Sequence, residues 1–120
     1  FPYTTLFRSE EIKEKTPFIQ YCFQGLIDYA NRDYNNALNN FDGYFKREEE
    51  PYENYYIRQI YSKLLIENKR YEEAKQYAME ALKDKPEEVE IHKILSKVHE
   101  ALGENEEQAL ENSIVSMLQG

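Results

Sequence analysis

The sequence predicts an all-α fold of paired helices, and three observations predict it. Breakers are scarce: the 120 residues include four Gly and four Pro, while 41% are apolar, which is enough for a packed core. Apolar positions recur at a period near 3.6, and no strand-like alternation competes. Two stretches also echo one another, RDYNNAL at 32–38 and KRYEEAK at 69–75. Tyr34 to Tyr71 is 37 residues, and so is Ala37 to Ala74. Each stretch lies between two helical runs, so it is the turn of a helix–turn–helix unit. The Tyr closes the turn, and the small Ala lets the two backbones approach where they cross.

Six helices follow in order. The first spans about 18–31 (FIQYCFQGLIDYAN) and the second about 34–48, ended by Pro51. The third spans about 52–67, with Ile57, Ile60, Tyr61, Leu64 and Leu65 on one face. The fourth spans about 71–84 and is closed by Pro86. The fifth, about 87–102, places Ile91, Ile94, Leu95, Val98 and Leu102 on one face and ends at Gly103, which suits a helix C-terminus. The sixth spans about 105–118. Helices this short are marginal alone and must bury their faces against neighbours.

Composition narrows the function. The formal net charge is -8, from 23 acidic and 15 basic residues. No Lys/Arg cluster supplies the basic footprint of a nucleic-acid binder. No apolar run reaches the roughly 18 residues that span a bilayer, so no membrane insertion is expected. The single Cys22 excludes an internal disulfide framework and a multi-Cys metal site. The compartment is left open, with the cytoplasm slightly favoured.

The repeated unit resembles the tetratricopeptide repeat family. That family's unit has 34 residues, with large residues at positions 4, 7 and 11, small ones at 8, 20 and 27, an aromatic at 24 and Pro at 32. With Ala37 at position 20, repeat one is 18–51: Tyr21 falls at 4, Gly25 at 8, Tyr34 at 17 and Phe41 at 24, while Gln24, Asp28 and Tyr44 depart at 7, 11 and 27. With Ala74 at position 20, repeat two is 55–88. Tyr61, Ser62, Leu65, Tyr71, Ala81 and Pro86 match, and Arg58 and Ala78 depart at 4 and 24. Repeat three, 89–118, is divergent: Leu95 and Ser96 match, His92 and His99 fall at 4 and 11, and the turn GENEEQA displaces Ala109 by one residue. The resemblance implies a right-handed α-solenoid of antiparallel helix pairs, about three units over 18–118.

Candidate chemistry is sparse. His92 and His99 lie seven apart on one helix face, but helical metal pairs usually sit at i,i+4 and no third ligand is suitably spaced, so both are packing residues and no metal or cofactor is expected. Nothing local marks Cys22 as a nucleophile. Glu48, Glu49, Glu50 and Glu53 form a solvated turn around Pro51, and the Asn cluster at 31–40 a turn and polar face. No catalytic constellation emerges, so the chain is expected not to be an enzyme.

By resemblance, first-helix positions 2, 5, 9 and 12 line a concave groove that receives a peptide or partner helix. Those are Ile19, Cys22, Leu26 and Tyr29 in repeat one, and Tyr56, Gln59, Lys63 and Ile66 in repeat two. In repeat three they include Lys93 and Lys97, beside Glu90 and Glu100. The apolar end either takes an apolar anchor or packs against a preceding repeat. The two-carboxylate clamp of chaperone-binding members is not present: its five positions hold Cys22, Leu26, Ile60, Glu90 and Ile94. The expected function is a protein-interaction scaffold without catalysis. The alternative is a structural spacer or dimerisation arm of a larger enzyme or regulator.

The first nine residues, FPYTTLFRS, have no place in this register. They resemble, residue for residue, one translated frame of a common short-read sequencing adapter, and are expected to be non-native and extended or weakly ordered. EEIKEKTP at 10–17 fits the end of a preceding repeat, with Pro17 at its position 32.

Overall fold

A computed structural model describes residues 17–46 and 54–120. The adapter-like segment 1–9, residues 10–16 of the expected repeat remnant 10–17 and the expected acidic turn around Pro51 lie outside the described residues, while Pro17 belongs to the first helix. The chain divides into two compact units, Phe1–Tyr52 and Glu53–Gly120, and the division falls between repeats one and two of the sequence reading. The described residues form helices and turns. No helix among them is long and apolar enough to cross a membrane.

The first unit holds α1 (Pro17–Ala30) and α2 (Tyr34–Phe45). Proline suits the first turn of α1, where its missing N–H has no helical acceptor. Asp33 caps α2, accepting from the Asn36 backbone N–H. The expected extension of this helix to 48 stops at Phe45, and 47–48 lie outside the described residues. The two helices pack as a pair. A Cβ on Gly25 would lie 2.9 Å from the Phe41 ring, so the glycine lets that fully buried ring lie against α1.

The second unit holds α3 (Tyr55–Glu67), α4 (Tyr71–Asp84), α5 (Val89–Leu102) and α6 (Asn105–Gln119). Helix α3 begins three residues later than expected, because Asn54 caps it by accepting from the Tyr56 N–H at 2.8 Å. Helix α5 begins at Val89 because 86–88 form a turn, closed by Glu88 N–H to Lys85 C=O. Helix α3 packs on α4, α4 on α5, α5 on α6, and α5 also reaches α3. Ala74, Ala78 and Ala81 form the buried stripe of α4. Their small size brings the backbones close, and Tyr61 meets Tyr77 edge-on at 4.8 Å across the α3–α4 pair.

The three intrapair turns are alike. Arg32, Lys69 and Gly103 all have left-handed backbone, with φ of 64°, 61° and 74°. Each such residue donates its N–H three residues back, to Tyr29, Ile66 and Glu100, and the next residue donates five back, to Asp28, Leu65 and His99. This pair of bonds satisfies carbonyls that the helix end leaves open. The next helix then starts with Ala37 donating to Asp33, Ala74 to Arg70, and Gln108 to Glu104. Gln108 therefore stands where the other two pairs have alanine. The expected one-residue excess in the third turn is corrected: the turn has the same length as the other two, and Ala109 is an exposed residue outside the crossing.

Candidate functional site

Four buried polar residues of the first helices face polar groups on the second helix of their own pair or on the turn that leads into it. Asp28 accepts from Gln24 at 2.9 Å and from Asn40, on α2, at 2.7 Å. Arg58 Nε lies 3.3 Å from Glu80 Oε2 on α4, near enough to pair charges though not aligned as a hydrogen bond. His92 Nδ1 lies 2.7 Å from Glu111 Oε2 on α6. Its Nε2 lies 2.6 Å from the Pro86 carbonyl oxygen, which can only accept, so that nitrogen bears the N–H. His99 Nδ1 lies 2.7 Å from Glu104 Oε1. Both imidazoles are buried and committed to these partners.

Glu104 joins three helices. Its carboxylate accepts from Lys75 of α4 at 2.8 and 3.1 Å, lies against His99 of α5, and precedes α6. The hydrogen bond from Lys75, then that from His99, holds the Glu104 carboxyl below its ordinary value. The same bond raises the Lys75 ammonium above its own. Burial pushes the Cys22 thiol up to about 11, so at neutral pH it is the unreactive protonated form.

The second unit contains a groove of about 300 Å³ between α3, α5 and α6. Helix α3 supplies Lys63, Ile66 and Glu67, and α5 supplies Glu90, Lys93, Ile94, Ser96 and Lys97. Asn112 and Val115 of α6 complete it. Ser96 donates to the Asn112 side-chain oxygen at 2.6 Å, tying the α5 and α6 walls together. Lys93 lies 3.6 Å from Glu90, an exposed pair on one helix.

Of the residues expected at a groove, Lys63, Ile66, Lys93 and Lys97 line this one. Tyr56 is half-exposed on α3, its ring 6.5 Å from Tyr55. Ile19, Leu26 and Tyr29 are partly buried residues of α1, with the Tyr29 ring 5.6 Å from Tyr34. Cys22 and Gln59 are corrections: at 4% and 6% exposure they offer no surface to a partner. Their shared register position holds Lys93 in the third pair. A lysine there carries its ammonium out on a long stem, whereas Cys and Gln are too short to do so. The Gln59 side-chain oxygen is buried with no hydrogen-bond partner among the described residues.

The α6 wall was missed by sequence reasoning, which assigned groove positions to first helices alone. Ile94 was placed in the core, where it is indeed buried while also forming the groove floor. The Ser96 and Asn112 pairing has no sequence signal, because it depends on how α6 lies on α5. No protein-family model matches the chain, and no curated protein or solved structure matches it significantly.

Proposed function

We propose that the chain is a tetratricopeptide-type array, wound as a right-handed solenoid, that captures a peptide or partner helix in the α3/α5/α6 groove without catalysing a reaction. The groove's position carries this reading: a cleft with an apolar floor opens along first-helix positions that the repeat register marks as partner-facing. The repeated turns support the array, since three pairs close with the same backbone bonds.

The test is peptide display selected on the wild-type chain and counter-screened on Ile66→Asp/Lys97→Glu, with helicity checked by circular dichroism. Peptides enriched on the wild type and lost on the folded variant support the reading. Selection of nothing, or of peptides that bind both equally, overturns it.

A second reading, a spacer or dimerisation arm, is favoured by α6. Leu110 and Met117 are 61% and 79% exposed, and Leu118 lies beside them. Positions 110, 114, 117 and 118 share one helix face, a stripe that a second helix would cover. Sedimentation equilibrium checks it: a dimer that Leu110→Lys/Met117→Glu converts to monomer supports the arm, and a wild-type monomer at 100 micromolar (roughly) excludes it.

A further inference from the structure

The groove's charge differs from that of the chain. Three lysines and two glutamates line it, whereas the chain as a whole has a formal charge of -8. One of those glutamates, Glu90, is engaged with Lys93. Lys63 and Lys97 have no carboxylate within 4.0 Å among the described residues. Two uncommitted ammonium groups, with the single carboxylate of Glu67, unpaired among the described residues, beside them, thus rim a floor of Ile66, Ile94 and Val115 and leave it net positive. Resting on the groove reading above, we infer that the occupant is an acidic peptide segment with an apolar anchor, its carboxylates against Lys63 and Lys97 and its anchor over Ile66 and Val115.

Range decides between the local lysines and the acidic whole. At physiological ionic strength the screening length is about 8 Å, so a peptide seated in the groove senses the rim more strongly than distant glutamates. The long-range field acts on encounter and slows it at low salt. Exposed pairs are individually weak, so the charge selects among peptides while the anchor supplies most of the affinity.

The test is methyl NMR of the full 120-residue chain titrated with three octapeptides. The first has a central Leu-Phe flanked by Asp and Glu, the second the same pair flanked by Lys and Arg. The third keeps the acidic flanks but has Ser-Gly at its centre. The first should shift the methyls of Ile66, Ile94 and Val115 and bind about tenfold more tightly than the second. The third should leave those methyls unmoved. Lys63→Glu/Lys97→Glu, at side chains that reach solvent, should invert the order of the first two. If the basic peptide shifts the groove methyls at equal or lower concentration, the acidic preference is wrong and the groove reading survives. If neither Leu-Phe peptide moves them at millimolar concentration, both fall. Equal shifts with the Ser-Gly peptide overturn the apolar anchor.

Discussion

Helices α4 and α6 follow the same kind of turn and start on the same backbone bond, yet they are buried differently. Helix α4 hides Ala74, Ala78 and Ala81. Helix α6 hides Glu111 and leaves Leu110, Met117 and Leu118 in water. Helix α4 packs against α3 on one side and α5 on the other, whereas α6 rests on α5. At the equivalent first-turn position one has Ala74 and the other Gln108. The turn therefore sets the start and direction of a second helix, while small residues and the number of neighbours set how much of it is buried. In α5–α6, a polar tie between His92 and Glu111 joins the pair where α3–α4 uses an alanine stripe.

The largest test of this contrast puts tryptophan on both helices. Ala74→Trp overfills a closed interface and should cost about 3 kcal/mol, a fall in Tm of roughly 12 °C or more for a unit of this size. Ala109→Trp, on an exposed site, should stay within about 0.5 kcal/mol. Equal melting curves would show that α4 and α6 are not packed differently.

Next comes the polar tie. His92→Ala leaves the Glu111 carboxyl group buried without its partner and should cost about 3 kcal/mol by urea unfolding. His92→Leu/Glu111→Leu should recover most of that loss, since it removes both polar groups. Failure of the double variant to exceed the single one would mean that the pair does more than satisfy itself.

The Glu104 junction gives a pH dependence. Its carboxyl is lowered from 4.5 in the folded chain, so its contribution is complete above that value and is lost as pH falls through the depressed one. Lys75 is raised from 10.5, so its contribution is complete below that value and is lost as pH rises through the raised one. Tm followed from about pH 5 to pH 2 should fall more steeply in the wild type than in Glu104→Gln. Parallel curves would remove Glu104 from the acid response.

The smallest effects belong to the turns. Lys69 spends a left-handed conformation on a side chain that disfavours it, so Lys69→Gly should gain about 0.5 kcal/mol after the added chain entropy. Gly103→Ala, where a Cβ would meet nothing within 4 Å, should lose about 1 kcal/mol from conformation alone. Thermal melts of the pair give the sign of each.

Helix ends were legible because local chemistry marks them, with Pro86 just beyond one and Gly103 at another, and apolar spacing between, whereas the Asn54 cap that starts α3 was overlooked. The left-handed residues at Arg32 and Lys69 were not legible, because neither is a glycine and the echo RDYNNAL/KRYEEAK draws attention to Tyr and Ala. The same echo misled at the third turn, where an exposed Ala109 looks like a displaced match although Gln108 holds the place. Four of the expected residues line one groove, Lys63 and Ile66 at i,i+3 on α3 and Lys93 and Lys97 at i,i+4 on α5, spacings that keep side chains on one helix face. Cys22 and Gln59 do not, because register fixes a direction and side-chain length decides whether it reaches water. Asn112 and Val115 required the packing of α6, which no local pattern encodes.

The buried Cys22 has a practical consequence. It is the single thiol of the sequence and belongs to the first unit. A thiol reagent can reach it only when its surroundings open, so the labelling rate clocks a local opening around α1, while circular dichroism follows helices in both units. The ratio of labelling in native buffer to labelling in denaturant then gives the opening equilibrium at Cys22. The chain thus contains its own stopwatch at one point on α1, and no probe need be engineered to learn whether that point opens with the loss of helix or before it.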